Sequence, residues 1–175
     1  MKRILGDPVA RKLDQAEGYL MLGLPLRALE IIRSRADWAT MRFEARMLEG
    51  EALRALERYR EALTPLEQAA ALRPHDTPVA LALGWCYKRT NRLAQAIDAL
   101  ERARRRRPDD PLLIYNLACY WSLAGNADRA LELLARAVEL DPAFSRIAQT
   151  EADFDPVRSR PEFEQIIEIK KPLTS

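Results

Sequence analysis

The sequence predicts an all-α fold: a solenoid of antiparallel helix hairpins closed by a C-terminal capping segment. Three observations predict it. Ala, Leu, Glu and Arg dominate while glycine occurs only six times, a balance that favours helix. The chain matches itself at a period of 34 residues without gaps, which is the mark of stacked supersecondary units. Prolines recur at one place in each period, Pro74, Pro108 and Pro142, where they stop a helix.

The repeat is read by laying residues 43–76, 77–110 and 111–144 over one another. The eighth place holds Gly50, Gly84 and Ala118, and the twentieth holds Ala62, Ala96 and Ala130. Small residues at both places let two helices approach closely. The eleventh place, Leu53, Tyr87 and Trp121, fills the space beside them, and Ala69, Ala103 and Ala137 form a second small column. Each unit therefore reads as two antiparallel helices. Asn91 and Gly125 tolerate the left-handed backbone that the break between them needs. Thr77-Pro78 and Asp110-Pro111 read as N-cap plus first-turn proline of the following helix. Pro65 falls inside a second helix and predicts a kink on its convex side.

The columns Leu83-Gly84, Tyr87, Ala96, Leu100, Ala103 and Pro108, with their equivalents one period away, resemble the tetratricopeptide repeat (TPR) family, in its bacterial form with a C-terminal cap. The resemblance spans roughly residues 9–167 and implies a right-handed solenoid of about four units. A lead-in occupies 1–8. A degenerate unit at 9–42 keeps Ala16, Tyr19, Ala28 and Ile32, with Asp7-Pro8 as its helix start. Units follow at 43–76, 77–110 and 111–142, then a cap and tail at 143–175. In the cap, Asp155-Pro156 and Pro161 are expected to open two short helices, and Phe154, Val157, Phe163, Ile166 and Ile167 to cover the last unit's apolar side.

Charge and chemistry exclude much. With 28 basic and 26 acidic residues the net charge is +2, so nothing global selects a polyanion. The start lacks the apolar core of a secretory signal, and no apolar run approaches the roughly 18 residues of a membrane span; a cytoplasmic protein without a membrane partner is expected. Cys86 and Cys119 read as buried thiols, or as a pair that approaches across neighbouring first helices. His75 has no cysteine or carboxylate at ligand spacing, so no metal and no other cofactor is expected. With no phosphate loop or nucleophile elbow, an enzyme is not expected.

The resemblance implies that the concave surface, lined by the first helix of each unit, is the binding site. Its lining would be Met47, Glu51, Arg54, Leu81, Trp85, Lys88, Arg89, Leu112, Tyr115, Cys119 and Ser122, an apolar strip with Trp85 at its centre beside three cations. Trp85 either anchors a partner or packs against a neighbouring helix. The clamp of lysines and asparagines that one TPR subgroup uses for heat-shock chaperone tails is not matched: Met47, Leu81 and Glu51 stand in its places, and Asn116 alone agrees. The ligand implied is a peptide or helix with apolar anchors and a carboxylate. The expected protein is a scaffold or adaptor, monomeric or weakly dimeric; a chaperone for secreted clients is an alternative.

Arg102 and Arg104, Arg105, Arg106 and Arg107 form a separate cationic patch in a repeat with eight basic and four acidic residues. As the end of a helix the run is favoured by the macrodipole, with Asp109 and Asp110 offsetting it. The second reading is contact with an anionic partner, nucleic acid included, although no aromatic residue is interleaved in the run to stack on bases.

Overall fold

The computed structural model describes residues 8–34, 38 and 41–168. They form ten α-helices joined by short turns, with no strand among the described residues. Two compact units divide the chain, residues 1–92 and 93–175.

The first unit holds α1 (Pro8–Met21), α2 (Pro25–Arg33), α3 (Arg42–Ala55), α4 (Tyr59–Leu72) and α5 (Thr77–Arg89). The second holds α6 (Leu93–Arg104), α7 (Pro111–Leu123), α8 (Ala127–Leu140), α9 (Ala143–Thr150), a 3₁₀ turn at Ala152–Phe154, and α10 (Pro161–Ile167).

One device ends the first helix of every hairpin. Gly23, Glu57, Asn91 and Gly125 have φ of 69°, 58°, 63° and 79°, and they stand 34 residues apart. The residue after each donates its N–H to the carbonyl five residues back: Leu24 to Tyr19, Arg58 to Leu53, Arg92 to Tyr87 and Asn126 to Trp121, at 2.8–3.0 Å. This is the Schellman closure, which satisfies carbonyls that the helix end leaves open. Glu57 is the residue least suited to it, because a Cβ in the left-handed region costs about 1–2 kcal/mol. Replacing it with glycine removes that cost and adds back some unfolded-state entropy. Glu57→Gly is therefore expected to stabilise the first unit by about 0.5–1 kcal/mol, read as a higher urea midpoint at unchanged slope.

Helix starts use side chains. Asp110 Oδ1 accepts from Leu112 N and Leu113 N at 3.1 and 3.3 Å, as expected of an N-cap. In the preceding repeat the cap is Asp76, which accepts from Val79 N at 3.1 Å; Thr77 is instead the first helical residue and is buried. Asn126 caps α8 through Arg129 N. Asp141 accepts from Ala143 N at 2.9 Å, and the helix it opens, α9, is one that the lapse of the repeat pattern after Pro142 concealed.

The core follows the small columns. Ala28, Ala62, Ala96 and Ala130 are all fully buried, as are Ala69, Ala103 and Ala137. At Gly50 an added Cβ would collide with Cγ of Leu66 on α4, so α3 and α4 approach to a separation that only glycine permits here. Pro65 stands within α4, which continues through it, and is buried.

Polar contacts lock neighbouring helices in the first unit. Glu49, nearly buried, receives Arg33 from α2 at 3.2 Å and Arg46 from its own helix at 2.6 Å. Arg73 reaches back from beyond α4 to Glu44 at 2.7 Å and lies 3.6 Å above the Phe43 ring. The Tyr87 hydroxyl donates to Glu67 at 2.7 Å, joining α5 to α4. Trp38, between α2 and α3, packs with Leu13 of α1 and Ala45 of α3, ringed by Val9, Met41 and Leu48. Its indole N–H donates to the Ile32 carbonyl at 3.1 Å.

The second unit is closed by an aromatic stack. Tyr115 of α7 stacks on Phe144 of α9 at 4.6 Å and meets Phe154 edge-on at 5.6 Å; Phe154 in turn meets Phe163 of α10 at 5.8 Å. Phe154, Val157, Phe163 and Ile166 are buried, whereas Ile167 is only partly so. Asp155-Pro156 does not open a helix: residues 155–160 are turn and bend. Asp155 instead accepts from the Arg158 guanidinium, which also donates to the carbonyls of Gln149 and Glu151 at 2.6 and 2.7 Å. A cation on the last carbonyls of α9 is where the macrodipole favours it.

Candidate functional site

In the first unit α1, α3 and α5 are the first helices of their hairpins, and α3 packs directly on α5. Seven expected lining residues lie on this pair. Met47, Glu51 and Arg54 of α3 and Leu81 and Lys88 of α5 are partly exposed, and Trp85 and Arg89 are exposed. Trp85 keeps 39% of its surface open, a large fraction for an indole, and the Lys88 ammonium sits 4.7 Å from its ring centre. Trp85 therefore presents a surface instead of being sealed between helices.

Arg54 donates two hydrogen bonds to Glu51, at 3.0 and 2.6 Å. That hydrogen bond is the main reason its guanidinium holds its proton above the ordinary arginine range, with partial burial opposing. Cys86, on the buried side of α5, has its thiol pushed up to about 11 by burial, with Arg54's charge pulling the other way. A thiol so placed is protonated at neutral pH and is not a nucleophile.

The Arg89 guanidinium lies over the Tyr59 ring, 5.2 Å from its centre. Glu57, Arg58, Tyr59, Arg60, Glu61, Arg89 and Thr90 surround an open cleft of about 330 Å³ at this end. Tyr59 was not singled out from sequence because it opens a second helix, outside the expected lining places.

In the second unit the expected lining divides. Leu112 is exposed on the first turn of α7. Tyr115, Cys119 and Ser122 are buried and form no open surface, which corrects the expectation for all three. The cause at Tyr115 is the chain's own cap: Phe144 and Phe154 cover the ring, and burial drives its phenol far above the usual tyrosine range, with the neighbouring Cys119 adding to the shift. Leu13, at the same repeat place in α1, is likewise fully buried, beside Trp38.

The arginine run is largely engaged. α6 stops at Arg104, so Arg105–Arg107 follow the helix and do not belong to its last turn. Arg102 pairs with Asp98 at 3.0 Å, Arg104 with Glu101 at 3.0 Å and Arg107 with Asp110 at 3.3 Å. These three pair with carboxylates one helical turn away, and Arg105 and Arg106 are exposed. Among the described residues no cluster of His, Cys, Asp and Glu is arranged to hold a metal ion, and no helix is long and apolar enough to cross a membrane.

Residues 53–118 match the family model described as tetratricopeptide repeat. No curated protein matches the sequence significantly. Among solved structures, one of MamA has a TM-score of 0.71 at 22% identity, covering 79% of this chain and 81% of its own. MamA 41-end from Desulfovibrio magneticus RS-1 has a TM-score of 0.70 at 21% identity over 98% of this chain and 99% of its own. YrrB, described as a TPR protein with an unusual peptide-binding site, has a TM-score of 0.72 at 19% identity, covering 82% of this chain and 75% of its own. At such identities the likeness speaks for the fold. The 34-residue hairpin with its left-handed turn agrees with the family model's match, which assigns tetratricopeptide repeats to the stretch 53–118.

Proposed function

We propose that the chain is a non-enzymatic scaffold that binds a peptide or helix from another protein on the face shared by α3 and α5. The observation that carries this reading is Trp85, open on a first helix with a lysine ammonium over its ring. A half-exposed indole flanked by cations and aliphatic side chains is the composition of a binding hot spot. Leu81 and Met47 add apolar surface, and Lys88 and Arg89 add positive charge, so the fitting segment carries a bulky apolar anchor followed by a carboxylate. The peptide-binding site described for YrrB, which shares the fold, supports a segment as the ligand.

The test is affinity capture from native cytosol with the wild-type chain and a Trp85→Ala, Lys88→Glu, Arg89→Glu variant, both checked for helicity by circular dichroism. Loss of a specific protein by the variant, and a drop of at least about 30-fold in its affinity once it is purified, is expected for a hot spot worth about 2 kcal/mol. Equal capture by both chains would move the site elsewhere.

A further inference from the structure

The most exposed apolar side chains described in the first unit gather around the end of α1. Met21, Leu22, Leu24 and Leu26 are 85%, 74%, 46% and 59% exposed; Met21 ends α1, Leu22 and Leu24 lie in the turn that follows, and Leu26 is in the first turn of α2. A soluble hairpin turn is ordinarily polar, as the next one is with Glu57 and Arg58. A contiguous exposed cluster of this kind marks a contact surface.

The neighbouring turns supply the second half of the observation. Trp38 joins the N-terminal halves of α1 and α3, so these helices run parallel and their C-terminal turns fall on one edge. The third turn joins that edge too, since Arg89 covers Tyr59 and shares its cleft. Along the edge stand Arg27, Arg58, Arg60, Lys88, Arg89 and Arg92 against Glu30, Glu57 and Glu61, with Arg27 paired to Glu30 and Arg58 to Glu61, which leaves a net charge of about +3 on the ridge. An apolar tip therefore lies beside a net positive ridge.

We infer that this edge docks on an anionic lipid bilayer, with the Met21–Leu26 tip entering the headgroup boundary and the arginine ridge against the lipid phosphates and carboxylates. Exposure selects the bilayer: Met21 and Leu22 are largely open to solvent, and side chains so open suit a deformable medium. Charge selects the lipid, because apolar insertion and cation attraction add at an anionic surface.

Two other occupants fit poorly. Paired tips of two copies would contribute a few hundred Å² each, below the roughly 800 Å² per partner of a stable dimer. Ile4 and Leu5, the apolar pair preceding α1, are four and three residues from Pro8. That is a reach of at most about 14 Å, against about 20 Å of helix to the tip. Docking of this kind needs no membrane span, so the absence of an apolar run does not bear on it.

The experiment is vesicle flotation of the full chain with phosphatidylcholine vesicles and with 3:1 phosphatidylcholine–phosphatidylserine vesicles, at low and physiological salt. The wild type is expected to float with the phosphatidylserine vesicles and to be released progressively by salt. A Met21→Ser, Leu22→Ser variant, altered only at open positions, should lose at least tenfold in bound fraction, and Arg60→Glu a smaller share. Absence of wild-type binding, equal binding to pure phosphatidylcholine, or undiminished binding by the double variant would each overturn the inference. So would a concentration-dependent dimer in sedimentation velocity that the double variant abolishes without any vesicle binding, which would assign the tip to a second copy. None of these outcomes touches Trp85, so the groove reading stands or falls separately.

Discussion

Trp38→Ala is expected to destabilise the first compact unit by about 3–5 kcal/mol, the range for deleting a buried tryptophan. The indole is 3% exposed and fills the space between α1 and α3, and the alanine variant would leave a void flanked by Leu13 and Ala45. It would also orphan the Ile32 carbonyl at the end of α2, which now receives the indole N–H. Amide exchange across α1 and α2 should accelerate while α7 and α8 are little changed. Trp38→Phe separates the two causes: it keeps most of the volume and loses the hydrogen bond, for about 1 kcal/mol. Protection of α1 and α2 that is unchanged in the alanine variant would show that the ring does not hold the first hairpin in place.

Phe154→Ala is expected to cost a similar amount, about 3–5 kcal/mol, in the second unit. Phe154 is fully buried and touches both Tyr115 and Phe163, so it links α7 to α10 through one ring. Without it, the cap keeps the Phe144–Tyr115 stack and the buried Val157, Phe163 and Ile166 but loses the ring that joins them, and the exposed pair of Arg160 with Asp128 at 3.2 Å adds at most about 1 kcal/mol. Limited proteolysis should then cut after Arg158 or Arg160 at conditions the wild type survives. A Phe154→Leu variant, which keeps most of the apolar volume, should resist. Identical digestion of the alanine variant and the wild type would contradict this account of the cap.

What the sequence made legible was the periodic part of the structure. Asn91 and Gly125 announce their left-handed turns because asparagine and glycine are the residues that adopt them readily. Glu57 holds the same conformation and gives no such signal, since only the spacing of its neighbours points to it. Thr77 misled because Ser, Thr and Asp all serve as caps and Asp76 stood one residue nearer the N-terminus. The helix after Asp141 carries a signal of its own, since Asp141-Pro142 repeats the Asp110-Pro111 pair, but the period marks Pro142 as a stop and so hides it. Trp38 lies in the unit where the period is weakest, so no column revealed that it is core. The expected lining residues of α3 and α5 are at least partly open to solvent. The expectation failed on α7 because repeat places give the direction of a side chain and not what the chain later lays over it. Tyr115 points where its column requires, and the cap covers it.

The two cysteines turn this architecture into a pair of clocks. Cys86 belongs to residues 1–92 and Cys119 to residues 93–175, and both are buried thiols outside any disulfide. Burial keeps the Cys86 thiol protonated with a pKa near 11, so an alkylating reagent at neutral pH meets almost no reactive thiolate until the surrounding helices part. The rate at which each thiol is modified then measures how often its own unit opens. A single chain thus carries, without any engineered label, one chemical timer for each half.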